Sequence, residues 1–189
     1  MPDAARGAAF PRTGSCSTLD GVIVRAPLDR ELPGLVELEV AAGEAFRDVG
    51  MPEVAGDARP VEWLRRFTAH GHVWVALEDG DDVPVAYLVA EPVDGGLHVE
   101  QVSVHPRAAR RGVGRRLIEH VADVARADGF PALTLTTFTE VPWNAPYYQR
   151  LGFAVVPDDT LTPGLRRIVD AEAAIGLDRW PRVVMRRTL

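Results

Sequence analysis

The stretch VSVHPRAARRGVGRRLIEHV, residues 102–121, decides how this chain is read. An apolar strand end runs into Pro106, then into a loop crowded with arginine around Gly112 and Gly114. A helix follows, with Leu117, Val121, Val124 and Ala125 on one face. The first amides of a helix have no intrahelical partner and sit at the positive end of its dipole. Glycine at 112 and 114 removes two side chains that would cover those amides, so an anion can touch backbone N–H groups. Arg110, Arg111, Arg115 and Arg116 add attraction at longer range. The same glycines would serve equally as a loose start to a surface helix, and spacing alone does not separate the two. Two other phosphate motifs are absent. There is no G-x-x-x-x-G-K-[ST], and Leu117 stands where G-x-G-x-x-G needs its last glycine.

Working outward, GVIVRAP (21–27) alternates like a short strand, and residues 29–46 carry Leu35, Leu38, Ala42 and Phe46 at helical spacing. A turn-rich loop leads to a second short helix, VEWLRRFTAHG. Strands follow at HVWVALED, VPVAYLVAEP and GLHVEQVSV (96–104), the first two joined by a Gly-Asp-Asp hairpin signal. After the helix from Gly112 come a strand at 131–138, a short helix in WNAPYYQRL, a strand FAVVP, a helix over 164–175 and a last strand RVVMRRTL. The order β α α β β β α β α β α β predicts a mixed α/β domain with consecutive antiparallel strands and a central β-α-β unit.

Composition narrows the class. Hydrophobic residues make up 47% and charged residues 25%, as in ordinary globular domains. One domain over 21–189 is expected, preceded by a disordered tail at 1–20 rich in Ala, Gly, Pro and Ser. No apolar run reaches the roughly 20 residues of a bilayer span, and the first twenty residues lack a signal-peptide core, so no membrane role is expected. Cys16 is the one cysteine, which excludes an intrachain disulfide and makes a reducing cytoplasm the expected location. All 21 basic residues are arginine, a pattern read as codon bias, and the net charge of −6 argues against nucleic acid as a partner.

VSVHPRAARRGVGRRLIEHV resembles the acyl-CoA-binding motif of the GNAT superfamily of N-acetyltransferases, Q/R-x-x-G-x-G/A after a V-x-P strand end. APYYQRLGF (145–153) is similar to that family's Y-x-x-L-G-F block. One departure is Ala109, which stands where the family has Gln or Arg and loses that side chain's contribution. The resemblance covers roughly residues 21–189. It implies a GNAT-like, mostly antiparallel central sheet flanked by helices, with splayed central strands and acetyl-CoA as co-substrate.

In such a fold the pantetheine arm would enter the splay and meet the backbone of Val102, Ser103 and Val104. The pyrophosphate would meet the amides of Arg110, Arg111, Gly112, Val113, Gly114 and Arg115. The resemblance makes Tyr148 the proton donor to the departing thiolate and leaves Tyr147 a packing residue. Asn144 would either cap its helix or touch CoA. His98 and Glu100 lie two apart on a strand and so share a face, with Val102 expected on that face as well. Either residue, or a water they hold, could take the proton that an amine nucleophile must lose.

His98-Val99-Glu100 echoes half of a zinc-deaminase motif, but P-C-x-x-C is missing, and His70 and His72 lack partners for tetrahedral coordination; no metal is expected. Phe46, Met51, Trp63 and Phe138 are candidate walls of an acceptor pocket, with Asp48 and Glu53 as charges for a cationic amine. The expected function is transfer of an acetyl group to a primary amine of a small molecule or peptide. The alternative is a non-catalytic acyl-CoA sensor. The last strand, if exposed, could pair two subunits into a homodimer.

Overall fold

The computed structural model describes residues 17–19 and 21–189; Cys16 and the rest of the N-terminal stretch lie outside the described residues. Eight strands form one sheet in the order β1-β2-β3-β4-β5-β6-β8-β7. They are β1 (Ser17–Leu19), β2 (Val22–Arg25), β3 (Val73–Glu78), β4 (Ala86–Val93), β5 (Gly96–Val104), β6 (Ala132–Phe138), β7 (Ala154–Val155) and β8 (Arg182–Thr188). Helices α1 (Leu32–Gly43), α2 (Pro52–Ala55) and α3 (Val61–Thr68) precede β3. α4 (Val113–Ala127) joins β5 to β6, α5 (Ala145–Arg150) follows β6, and α6 (Pro163–Ala174) precedes β8. β1 through β5 pair antiparallel, β5 and β6 parallel, and β8 antiparallel to both β6 and β7. This is the mixed, mostly antiparallel α/β sheet with a central β-α-β unit that the element order predicts.

Boundaries differ where local chemistry intervenes. The helix expected over 29–46 is divided: a 3-10 turn at Asp29–Glu31, α1 with Pro33 in its first turn, and a 3-10 stretch at Glu44–Val49 ended by Gly50 at φ 76. β1 falls inside the stretch expected to be a tail, because Ser17–Leu19 pairs with Val22–Val24. β7 is reduced to two residues, both exposed, at the sheet edge.

The two faces of the sheet bury separate clusters. On one, α4 lays Val113, Leu117, Ile118, Val121 and Ala125 against Leu88, Leu97, Val99, Leu133 and Met185. On the other, Leu32, Leu35 and Leu38 of α1 and Leu64 and Phe67 of α3 pack on Val73, Val75, Leu77, Tyr87 and Val89. α6 also lies on this second face, held at its start by Asp94 of the β4–β5 turn, which accepts hydrogen bonds from Thr162, Gly164 and Leu165. A bidentate pair of Arg187 with Glu119, at 3.0 and 2.7 Å, ties β8 to α4.

Candidate active site

β5 and β6 pair only at Leu97–Leu133, His98–Thr134 and Val99–Leu135, although both strands run on. Beyond that seam they part. The His105 amide donates to Val85 O at 2.8 Å, toward β4. By the alternation of an antiparallel ladder, the backbone groups of Val104 and Val102 face the opposite way, into the gap. Ser103, by the same alternation, faces β4, and its hydroxyl accepts from Gln101 Nε2 at 2.9 Å. The structure therefore brings Val102 and Val104 to the gap, but not Ser103.

The loop after β5 is shaped for close approach. Arg110 has φ 61 and Gly112 φ 82, and Gly112 is the N-cap of α4 without a side-chain cap. Arg116 N bonds Gly112 O at 3.1 Å, so the helix begins there and leaves its first amides free of intrahelical partners. Left-handed residues flanking such amides make an anion-binding concavity. Gly114 has a second reason to be glycine: a Cβ there would meet Val104 Cγ2 at 3.2 Å and Tyr147 Oη at 3.4 Å. The arginines divide by role. Arg111 is drawn to Glu78 at 2.9 Å, and Arg116 turns back to Arg111 O at 3.0 Å.

Tyr147 is therefore more than packing. Its hydroxyl stands at the cradle, and Arg150 lies 5.8 Å from its ring. Tyr148 packs edge-on against Phe153, and burial pushes its phenol pKa up, keeping it protonated. The Asn144 side chain does not cap α5, whereas its backbone carbonyl accepts from Tyr147 N and Tyr148 N.

On the sheet face opposite α4, β5 carries a bulge. Val89 pairs with Gln101 and Ala90 with Val99, so Glu100 has no opposite residue. The extra residue reverses the alternation: Val99 and Val102 both pack into the α4 cluster. The expectation that Val102 shares the face of His98 and Glu100 is thus overturned by the bulge. His98 and Glu100 do lie together, Nε2 to Oε1 3.8 Å. His98 is 1% exposed, its Nδ1 lies 2.9 Å from Thr134 Oγ1, and burial pushes its pKa down to about 4. Glu100 is pushed up to about 8, first by burial, then by the Glu91 carboxyl it hydrogen-bonds and by Glu172, with Arg59 opposing.

Around this pair the fold gathers residues that spacing did not reveal. Arg182 of β8 bonds Glu172 of α6 at 2.8 Å and Thr136 of β6 at 3.2 Å, and lies 4.5 Å over the Phe138 ring. Thr136 also donates to Glu172. Tyr87 donates to Glu39 at 2.7 Å, and the same carboxylate accepts from Arg59 N at 3.0 Å. They come from separate elements, and no local pattern links them.

Phe46, Met51 and Phe138 do meet, in one cluster with Val141, Leu177 and Trp180, but Met51 and Phe138 are only 3% and 5% exposed. Trp63 packs instead with Phe67 on the α1–α3 side. A cleft of about 470 Å³ lies beside this cluster, lined by Glu53, Asp57, Ile175, Leu177, Arg179 and Trp180 among others. Among the described residues no group of three or more His, Cys, Asp or Glu side chains is arranged for a metal, and no helix is long and apolar enough to cross a membrane.

The chain has known relatives in sequence and in fold. The chain is 27% identical over 94 residues to a peptidyl-lysine N-acetyltransferase, YjaB, of Salmonella typhimurium, covering 50% of this chain and 58% of that protein. It is 34% identical over 80 residues to an IAA acetyltransferase of Azospirillum brasilense, covering 42% and 52%. The chain thus spans little more than half the length of these curated relatives. In fold it is similar to N-acetylglutamate synthase of Neisseria gonorrhoeae, solved with coenzyme A and N-acetyl-glutamate, at TM-score 0.67 and 18% identity over 92% of this chain and 36% of that one. It is likewise similar to the ribosomal-protein-S18-alanine N-acetyltransferase of Escherichia coli, at TM-score 0.61 and 16% identity over 88% and 93%. The profile of the acetyltransferase (GNAT) family matches residues 36–153, more than half of the sequence, and the chain belongs to that family.

Proposed function

We propose that this chain transfers the acetyl group of acetyl-CoA directly to a primary amine of a small molecule or peptide, in the cytoplasm. The observation that carries the reading is the parting of β5 and β6 just beyond Val99 and Leu135, with the Gly112–Gly114 cradle on one side and Glu100 on the other. The residues fit the co-substrate: unpaired strand edges suit amide groups added in the manner of a strand, and a left-handed loop with bare helix amides suits a pyrophosphate. When bound, acetyl-CoA supplies the thioester carbonyl that accepts the amine.

Val102 and Val104 hold the pantetheine by backbone bonds, and the amides from Arg110 to Arg115 hold the phosphates. The Val102 amide, which faces the gap, receives the oxyanion that develops on the carbonyl in this reading. The cationic amine gives one proton to the Glu100 carboxylate, which frees the lone pair that forms the N–C bond. The second proton, lost from nitrogen once that bond is made, replaces the one that Tyr148 gives to the sulfur. A cationic amine arriving beside Glu100 favours the carboxylate, which readies the base only when acceptor is present. Tyr148 gives its proton to the sulfur as the C–S bond breaks. The carboxylates of Glu91, Glu100 and Glu172 support a cationic acceptor, and the peptidyl-lysine relative supports a lysine-like one.

The test is release of CoA thiol with a panel of lysine peptides, diamines, aromatic amines and amino acids, for wild type and Tyr148→Phe. Turnover that falls about 10- to 100-fold in the variant, with the KM for acetyl-CoA within about twofold, is expected. No thiol release from wild type with any amine, while acetyl-CoA still raises the melting temperature, would replace the enzyme with a sensor.

A further inference from the structure

The middle of the three register pairs that join β5 to β6 is His98 opposite Thr134, and their side chains meet as well. Both are buried. The ring's other nitrogen looks toward Glu100 Oε1, 3.8 Å away, an oxygen enclosed by the fold and without a hydrogen-bond partner. A neutral imidazole carries one N–H and one lone pair, and the partner at one nitrogen decides what the other presents. A threonine hydroxyl can donate or accept. If it accepts from Nδ1–H, Nε2 offers Glu100 a lone pair, which suits a protonated carboxyl. If it donates to Nδ1, Nε2 offers N–H, which suits a carboxylate.

We propose that Thr134 is a positioning residue: its hydroxyl, able to donate or accept, keeps Nδ1 of His98 bonded in either tautomer, so that Nε2 can present a lone pair or an N–H toward Glu100 as that carboxyl gains and loses its proton. The proposal rests on the reading of Glu100 as the proton acceptor. No other contact described for the ring competes with these two. The charged groups facing Glu100 are Glu91 from β4, Glu172 from α6 and Arg59 ahead of α3, with Arg182 of β8 bound to Glu172. The Thr134 hydroxyl bonds His98 rather than any of these.

In Thr134→Val the ring loses its bonded partner at Nδ1 and keeps Glu100 facing Nε2. The proton then stays on Nε2, because Nδ1–H would be buried without an acceptor. Glu100 would face a permanent donor, which favours its ionised form. The expected result is a pH–kcat profile whose rising limb moves to lower pH, with kcat at its plateau about tenfold lower and the KM for acetyl-CoA within about twofold. Thr134→Ser should restore both the midpoint and the rate. A Thr134→Val profile with the wild-type midpoint would overturn the proposal, as would a serine variant that behaves like valine.

Nitrogen NMR of the His98 ring in the wild-type chain tests the same point without turnover. Nδ1–H below the Glu100 midpoint and Nε2–H above it is expected; a single tautomer across the range would sink the idea. A chain that exchanges tautomers but acetylates no amine would leave this inference standing and remove the enzyme reading.

Discussion

Replacing Glu100 with glutamine keeps the shape of the side chain and removes its charge, and the cost of that charge can be followed through pH. The carboxyl is held at about 8, against an ordinary value of 4.5, by burial and by the carboxylates of Glu91 and Glu172. A folded-state pKa raised above the unfolded one means that the native state binds the proton more tightly. The stability this contributes is fully present below about pH 4.5 and is lost as pH rises through about 8. Each pKa unit corresponds to about 1.4 kcal/mol, so the wild type should lose on the order of 3–5 kcal/mol of native stability from this group between pH 5 and pH 9. Glu100→Gln should lose none of it. For a domain of this length about 1 kcal/mol moves the melting midpoint by about 2–4 °C, so the variant should gain roughly 10 °C on the wild type across that range. Thermal melts of both chains at several pH values measure the difference, and groups remote from Glu100 cancel. Glu91→Gln should fall between them, because it removes a repelling charge and leaves the hydrogen bond. Wild-type and Glu100→Gln melts that run parallel from pH 5 to pH 9 would refute the reasoning.

Gly114→Val places a Cβ 3.2 Å from Val104 Cγ2 and 3.4 Å from Tyr147 Oη, before its methyl groups are counted. Ligand at about a hundred times its Kd adds about 2.7 kcal/mol to a native state, so the shift of several degrees that acetyl-CoA should give in wild type should vanish in this variant. Arg187→Ala breaks the bidentate pair with Glu119 at 3.0 and 2.7 Å and should cost about 1–2 kcal/mol in a denaturant titration, without changing the KM for acetyl-CoA.

The cradle was legible because its cause is local. Pro106, Gly112 and Gly114 punctuate a strand-to-helix junction, and the uncapped helix start at Gly112 follows from residue types, whereas the left-handed turn at Arg110 does not. Tyr148 was legible by its place before Leu151-Gly152-Phe153, and His98 with Glu100 by their spacing. The face of Val102 was not, because the bulge at Glu100 exists only in the register of β5 against β4. Nor were Glu91, Thr134, Glu172 and Arg182, which arrive from β4, β6, α6 and β8 and carry no signature until the sheet is assembled. Tyr147 packs against the core as its place in sequence suggested, and its hydroxyl also comes close to Gly114, which the sequence did not reveal. α2 escaped notice because a helix of four residues has too few turns to show a period.

The short seam between β5 and β6 has a mechanical consequence. Three register pairs, Leu97–Leu133 to Val99–Leu135, are the strand-to-strand link between a leaf of five strands and a leaf of three. A sheet joined along so little of its length resists bending less at that line than along the longer β4–β5 and β6–β8 ladders that flank it, and α4, which packs on both leaves, acts as its spine. A ligand that bonds to both open edges would close the book, so the molecule's stiffness is in part a property of what it holds.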